Sequence, residues 1–221
     1  MKIIIYNGSP RGRKSNTRLL MDSFIEGLSA VRTNYEVEVY YLASRSDRRA
    51  GMMAFPGADR VIIAFPLYTD SMPGIVKEFI DQLEPYSRAE RAPDMGFVVQ
   101  SGFPEPAHSR PIEKYVQRLA EKLGARYIGT VVKGGVEGIQ IMPGWMTRKL
   151  YKRFNKLGRH YGLHGEFNQV IIKKLTPYER FSKLRIWVFN RMRKTRLANF
   201  YWDNQLKANG VFDHRFAHPF D

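Results

Sequence analysis

The sequence predicts a doubly wound α/β fold: a five-stranded parallel sheet with helices on both faces, followed by a basic, mainly helical extension. In the first 133 residues, five short β-branched or apolar runs alternate with segments of helical periodicity. Right-handed crossovers between such strands place helices on both faces of the sheet. After Lys133 the alternation stops and basic segments follow. We expect a core domain over residues 1–140 and an extension over 141–221 that packs on it as a lid or a dimer contact.

The predicted strands are short runs rich in valine, isoleucine and aromatic residues. Arg60–Phe65 is continuously apolar, as expected for a strand covered on both faces. Glu36–Leu42 alternates valine and tyrosine with polar residues, which is typical of a half-buried strand. The other predicted strands are Lys2–Tyr6, Met95–Gln100 and Arg126–Val132.

The predicted helices carry apolar stripes at spacings of three and four residues. Those of the core are Ser15–Leu28, Ser71–Leu83 and Arg110–Leu123, and those of the extension are Trp145–Tyr161 and Pro177–Asn199. The stretch Ala43–Asp59 has no clear periodicity, so we predict a long polar connection there, with a use such as a subunit interface. We predict that Gly134–Gly138 is flexible because three of its five residues are glycine.

Composition excludes several kinds of chemistry. The chain has no cysteine, which excludes disulfides, thiolate nucleophiles and cysteine-ligated metal sites. No apolar run reaches the ~18 residues of a membrane span, and the first residues lack the features of a signal peptide, so we expect a cytoplasmic protein. His160 and His164 have metal-like spacing, but Gly162 lies between them and no carboxylate is well placed nearby. We predict no metal site.

The positive charge of the chain is concentrated towards its C-terminus. The net charge is +15, and residues 141–221 contain 17 Lys and Arg against 5 Asp and Glu. A basic region attracts anions such as phosphate ligands, nucleic acid or an anionic membrane surface. A solvated face that keeps the protein soluble explains the same pattern, and both interpretations remain open.

The loop after the first predicted strand has the composition of a phosphate site. Between Asn7 and Thr17 it contains hydroxyl and amide side chains, three cations and two glycines, and it leads directly into a helix. A helix N-terminus offers free N–H groups and a partial positive charge, which favour a phosphate. The residues predicted to hold it are Ser9, Arg11, Ser15, Asn16 and Thr17. An ordinary helix cap is the alternative.

The spacing of the glycines in this loop excludes two known types of phosphate loop. Gly8 and Gly12 do not form a dinucleotide fingerprint, and the second glycine comes one residue too early for the P-loop of nucleoside triphosphatases. The loop instead resembles the phosphate loop of the flavodoxin-like NAD(P)H-dependent FMN reductases, with its G-S-x-R-x-x-x-S-N-T pattern. The stretch Phe65–Asp81 is similar to the second flavin loop of that superfamily, and Gln100–Glu105 is similar to its third.

These three loops follow the first, third and fourth predicted strands in the order of the family. They span about 125 residues, and the last ~85 residues lie outside the resemblance. The related iron–sulfur flavoproteins carry cluster cysteines between their second and third strands, and this chain has none. The resemblance is therefore to the flavin-only branches of the superfamily.

The resemblance implies FMN as the cofactor, with its phosphate in the first loop and its isoalloxazine ring between the other two. The second loop would contribute Pro66, Leu67, Tyr68, Thr69, Asp70, Ser71 and Met72, with backbone N–H groups facing the polar edge of the ring. The third loop would contribute Ser101, Gly102 and Phe103. Packing is the alternative role for Tyr68 and Phe103, and capping of the following helix is the alternative for Thr69, Asp70 and Ser71.

The implied activity is that of an FMN-dependent oxidoreductase. It would pass reducing equivalents from NADH or NADPH through FMN to a small-molecule acceptor such as a quinone, a nitro compound or a flavin, and the resemblance also implies a homodimer. The alternative is a flavodoxin-like electron carrier or a non-enzymatic flavin-binding protein, although the net charge of +15 is unlike the usual acidic carrier. Binding of nucleic acid or a membrane surface by the basic region is a third hypothesis.

Overall fold

A computed structural model describes residues 1–31, 34–88, 91–192 and 196–217 of the chain. Its centre is a five-stranded parallel sheet formed by β1 (Lys2–Asn7), β2 (Glu36–Tyr41), β3 (Arg60–Pro66), β4 (Asp94–Gln100) and β5 (Tyr127–Lys133). The strand order is β2-β1-β3-β4-β5. All five predicted strands are confirmed, and the predicted α/β fold with them.

The order of the strands reverses at β1. The chain passes from β1 outwards to β2 and then returns to β3 on the other side of β1, so that Ile5 is paired with both Val39 and Ile62. From β3 it continues in one direction through β4 to β5. The carboxyl ends of β1, β3 and β4 are therefore neighbours at one edge of the sheet, where ligands of open α/β folds bind.

Helices cover both faces of the sheet. Those of residues 1–179 are α1 (Asn16–Ser29), α2 (Arg45–Ala54), α3 (Gly74–Asp81), α4 (Pro111–Lys122), α5 (Gly144–His164) and α6 (Gln169–Leu175). On one face α1, α5 and α6 enclose a core with Ile3, Ile5 and Ile62. On the other, α2, α3 and α4 pack over Ile4, Tyr6 and the other side of the strands.

The prediction of a long polar connection over residues 43–59 was wrong, because α2 lies within it. Gly51 is the buried residue of this helix, and it packs against the rings of Tyr6 and Tyr40. Tyr6 Oη donates a 2.7 Å hydrogen bond to the Gly51 carbonyl oxygen. Beside Gly51, the helix packs on the core with Met52 and Ala54, which are only partly buried. Its apolar stripe is therefore short and is centred on a glycine, and this explains why the sequence pattern did not reveal the helix.

Two of the predicted helices differ from those in the structure. The helix predicted from Ser71 begins at Gly74, because Pro73 occupies its N-cap and favours extended backbone before it. The helix predicted over Pro177–Asn199 is replaced by α7 (Lys183–Met192) and α8 (Arg196–Ala208), and residues 193–195 lie outside the described part of the chain.

The chain forms two compact units, Met1–Glu179 and Arg180–Asp221. The predicted division after residue 140 falls inside the first unit, since α5 and α6 belong to it. In the second unit none of the ten residues of α7, all of them described, is buried. None of the helices in the described ranges is both long and apolar enough to cross a membrane.

The closest contact between helices joins α1 and α5. Cβ atoms built at Gly27 and Gly158 would each lie 1.9 Å from a backbone oxygen of the other helix, that of Asn155 and that of Phe24 respectively. The two backbones therefore touch without intervening side chains. This contact brings Phe154, Leu157 and Tyr161, all with no exposed surface, into the core beside Phe24.

We expect Gly158→Ala to destabilise the protein by about 3 kcal/mol, because the added methyl group forces two backbones apart and overpacking of this kind costs about 1–3 kcal/mol or more. Urea-induced unfolding followed by circular dichroism measures the loss. Gly144→Ala is the matched control: it lies in the same helix with no atom within 4 Å of its built Cβ. That variant should change the free energy of unfolding by less than about 1 kcal/mol. Equal stability of the two variants would contradict the close contact.

Candidate functional site

The loop between β1 and α1 is held by its own polar side chains. Asn7 Oδ1 accepts a 3.0 Å hydrogen bond from the Ser9 N–H, and Asn7 Nδ2 donates to Ser15 Oγ at 3.3 Å. Ser9 Oγ accepts from the Arg11 N–H at 3.3 Å. Gly12 has φ +51°, a left-handed conformation that glycine adopts without strain. Hydrogen bonds within the loop thus fix its conformation without a ligand.

The end of this loop presents unused hydrogen-bond donors. Ser15 caps α1, its Oγ accepting from the Arg18 N–H at 3.1 Å. In the described structure, the N–H groups of Arg13, Asn16 and Thr17 donate to no acceptor. Ser15 and Thr17 each use their hydroxyl oxygen as an acceptor, so their O–H protons remain available. Free N–H and O–H groups at the positive end of a helix are the chemistry of an anion site.

Arg11, which is predicted to pair with the phosphate, forms an ion pair with a carboxylate. Its Nη2 lies 3.2 Å from Glu137 Oε1, and the two side chains are 54% and 45% exposed. An exposed ion pair of this kind contributes only about 0–1 kcal/mol. Arg11 would therefore lose little free energy if it released Glu137 and paired with a bound anion. Arg13, two residues on, lies over the Tyr41 ring at 4.4 Å from its centroid.

The segment after β5 completes the first loop, and sequence reasoning missed this. Asn16 Nδ2 donates to the carbonyl oxygens of Val136 and Glu137 at 2.8 and 3.0 Å, and Gln140 Nε2 donates to Asn16 Oδ1 at 2.7 Å. Val136 is fully buried. The prediction that Gly134–Gly138 is flexible was therefore wrong. Gly134 is needed for close packing, because a Cβ at this position would lie 2.4 Å from the Phe103 carbonyl oxygen.

A signal for this segment existed in the sequence. Ligands of open α/β sheets bind at the carboxyl ends of the strands, and the stretch after Lys133 follows such an end just as the other loops do.

The second predicted loop forms a tight turn at the end of β3. Tyr68 and Ser71 exchange two backbone hydrogen bonds of 2.9 and 3.1 Å, and between them Thr69 and Asp70 have φ of +49° and +63°. A β-branched residue in the left-handed region is strained, and such strain is found most often at functional sites. The helix-capping alternative for this turn was wrong, since α3 has Pro73 at its N-cap and no side-chain cap bond.

The side chains of the second loop divide into a buried and an exposed group. Pro66 and Leu67 are buried, and Met72 packs against the core. Tyr68, Thr69, Asp70 and Ser71 are exposed, with Tyr68 at 47%. The N–H of Leu67 donates to the Gln100 carbonyl oxygen at 2.8 Å, so it is not free to face a ligand. In the described structure the N–H groups of Thr69 and Asp70 have no acceptor, and they remain candidates.

The third predicted loop has a buried base and an exposed tip. Ser101 is buried, accepts from Ser109 Oγ at 3.1 Å and donates to the Phe103 carbonyl oxygen at 3.3 Å. Gly102 and Phe103 are exposed, with Phe103 at 54% and its ring centroid 5.5 Å from that of His108. An exposed aromatic ring at the carboxyl end of a parallel strand offers apolar surface to a planar ligand.

Backbone hydrogen bonds join all of these loops at one edge of the sheet. The Gly8 N–H donates to the Ala64 oxygen at 2.7 Å, which links the first loop to β3. The Ser101 N–H donates to the Lys133 oxygen at 3.0 Å, which links the third loop to β5. Thr17 and Gln100 meet at 3.4 Å between their side chains. The residues predicted from three distant parts of the sequence are thus close in space, although their contact with a ligand stays a prediction.

A half-buried cation lies at the β5 end of this edge. Burial lowers the pKa of the Lys133 ammonium, and the charge of Arg153 lowers it further. Lys133 Nζ donates to the Gly134 carbonyl oxygen beside it. Among the described residues, no group of three or more His, Asp or Glu side chains is arranged to hold a metal ion.

A family model described as having the flavodoxin-like fold matches residues 1–144. No curated protein matches the sequence. Among solved structures, an FMN-dependent NADH-azoreductase from Bacillus anthracis in complex with FMN is similar at 15% identity and a TM-score of 0.55, over 73% of this chain and 100% of that one.

Two further structures have the same fold. An NAD(P)H:quinone oxidoreductase from Methanothermobacter marburgensis has 18% identity and a TM-score of 0.56, over 72% of this chain and 96% of that one. An NADH:FMN oxidoreductase in its apo form has 18% identity and a TM-score of 0.57, over 76% of this chain and 90% of that one. At these identities the likeness shows the shared fold.

Proposed function

Because this chain belongs to the family with the flavodoxin-like fold, we propose that it is an FMN-dependent oxidoreductase that takes electrons from NADH or NADPH and delivers them to a small organic acceptor. The observation that carries the proposal is that the unused donors of α1 and the exposed rings of Tyr68 and Phe103 all lie on loops that follow the carboxyl ends of the neighbouring strands β1, β3 and β4. The similar structures named above, an azoreductase and two oxidoreductases, support it.

The donor set of the first loop fits the phosphate of FMN. Residues 7–17 contain Arg11, Arg13 and Lys14 but no Asp or Glu. The hydroxyl protons of Ser15 and Thr17 and the N–H groups of Asn16 and Thr17 would donate to phosphate oxygens, with the positive end of the α1 dipole behind them. Arg11 would leave Glu137 and form a charge-assisted hydrogen bond to the phosphate.

The other two loops fit a planar, largely apolar ring system. Tyr68 and Phe103 expose rings whose removal from water contributes about 25 cal/mol per Å² of apolar surface. Gly102 has no side chain, so its backbone would approach the ring closely. The N–H groups of Thr69 and Asp70, held in the strained turn, would donate to the polar edge of the ring.

When bound, FMN supplies the redox chemistry, and the protein supplies position and electrostatics. The exposure of Tyr68 and Phe103 leaves the mouth of the site accessible to flat molecules. Quinones, nitro compounds and free flavins are the acceptors that we propose on this ground. We also propose a homodimer, which light scattering of the purified protein tests directly.

We expect Arg11→Ala to weaken FMN binding by about 10- to 150-fold, because a hydrogen bond to a charged group contributes about 1.5–3 kcal/mol. Riboflavin lacks the phosphate, so its affinity should stay the same; fluorescence titration measures both. Arg13→Ala is the matched control, since it removes a cation from the same loop that lies over Tyr41, and it should change FMN affinity only slightly. An equal loss of FMN and riboflavin affinity in Arg11→Ala would show that the loop is not the phosphate site.

We expect Glu137→Gln to strengthen FMN binding by about twofold to fivefold. The substitution removes the carboxylate that pairs with Arg11, and an exposed pair of this kind is worth about 0–1 kcal/mol. Glu121→Gln, an equal change of charge on the exposed surface of α4, should leave the affinity unchanged. The effect of Glu137→Gln should disappear in the Arg11→Ala background, and its persistence there would mean that Glu137 acts without Arg11.

Mixing the FMN-loaded protein with NADH or NADPH in a stopped-flow spectrometer tests the enzymatic role. A reductase loses its flavin absorption rapidly, and later addition of a quinone restores it. An electron carrier or a passive flavin-binding protein keeps its absorption, because no site admits the nicotinamide. A protein that binds neither FMN nor riboflavin would overturn the proposed function and leave the fold intact.

A further inference from the structure

A second region of the first unit has the character of an anion site. A hollow of about 180 Å³ lies between α5 and α6. Five of the six residues that line it are cations, and the sixth is apolar: Lys149, Lys152, Arg153, Lys156, Lys174 and Ile171. These residues are separate from the loops that form the site at the sheet edge.

The geometry of α5 explains why its cations converge there. Lys149, Lys152, Arg153 and Lys156 are spaced at i, i+3, i+4 and i+7, which places them on one face of the helix along roughly 10 Å. The opposite face of α5 is fixed in the core by its buried aromatic and leucine side chains. Lys174 reaches the same hollow from α6, so the cations surround a concave space.

No carboxylate of the described residues forms an ion pair with this cluster. In the parts of the chain that the structure describes, none of the five cations forms an ion pair. Like charges at this spacing on a helix destabilise it by about 0.2–0.5 kcal/mol per pair. Lys133, at the end of β5, is also close enough to feel the charge of Arg153. An anionic ligand would relieve this repulsion.

We propose that the hollow between α5 and α6 is a second anion site, which binds a small molecule carrying two or more phosphate groups. Five cations converge on this hollow, which is more positive charge than a single phosphate would neutralise, so a diphosphate or a triphosphate suits it better. A polymer such as nucleic acid would use a longer and flatter stripe of cations. The proposal goes beyond the redox function and does not depend on it.

Calorimetric titration with pyrophosphate tests the proposal on the full chain, with FMN present in excess to fill the first site. We expect Lys152→Gln and Lys156→Gln each to weaken binding by about tenfold or more, as for the loss of a hydrogen bond to a charged group. Lys173→Gln is the matched control: it removes the same charge from α6 at a position that does not line the hollow. It should change the affinity by less than about twofold.

The source of the phosphates is distinguished by a parallel titration with ADP. Equal affinities for ADP and pyrophosphate would show that the phosphates alone are recognised, and tighter binding of ADP would show that the site takes a nucleotide; both support the site. Pyrophosphate binding that persists in Arg11→Ala separates this site from the one at α1, whatever the fate of the proposed function.

Three results would overturn the proposal. The first is the absence of pyrophosphate and ADP binding at millimolar concentration. The second is an equal loss in Lys152→Gln and Lys173→Gln, which would reveal a diffuse attraction to net charge. The third is binding confined to single-stranded DNA or to vesicles containing phosphatidylserine. Retention of the far-ultraviolet circular dichroism spectrum in each variant shows that folding is intact.

Discussion

The side-chain amide of Asn16 is the contact on which the site at the sheet edge depends. It lies at the start of α1, is almost fully buried, and donates to the carbonyl oxygens of Val136 and Glu137 while it accepts from Gln140. Buried carbonyl groups need such donors, since an unpaired one costs about 1–3 kcal/mol. The amide thereby holds the segment after β5 against the first loop and brings Glu137 to Arg11.

The contact between α1 and α5 also helps to hold the first loop in place. Gly27 and Gly158 let the two backbones touch, so α5 lies directly against α1 and its apolar face fills the core. The first turn of α1, with its unused N–H groups, is therefore held by a packed helix pair as well as by its own loop. Because α5 cannot rotate on this contact, its cations at 149, 152, 153 and 156 must face α6.

The two regions of the first unit for which we propose anion binding differ in the kind of donor that they offer. At the N-terminus of α1, backbone N–H groups and hydroxyls are fixed in direction, and the cation Arg11 lies at the rim. Directed donors of this kind favour one ligand geometry. Between α5 and α6, flexible lysine side chains supply point charges, which adapt to differently shaped anions. The first is suited to a resident cofactor and the second to an exchanging ligand.

The sequence by itself determined the five strands and the helices α1, α3, α4 and α5, because buried parallel strands and amphipathic helices leave strong periodic patterns. It also determined the chemistry of the first loop, since hydroxyls, cations and a helix start are all local. Only the tertiary structure decided that α2 is a helix, that Arg11 faces Glu137, and that Asn16 holds residue 136, which lies 120 positions along the chain. These features arise from contacts between distant residues and, in α2, from a buried glycine within a short apolar stripe, and neither leaves a clear local pattern.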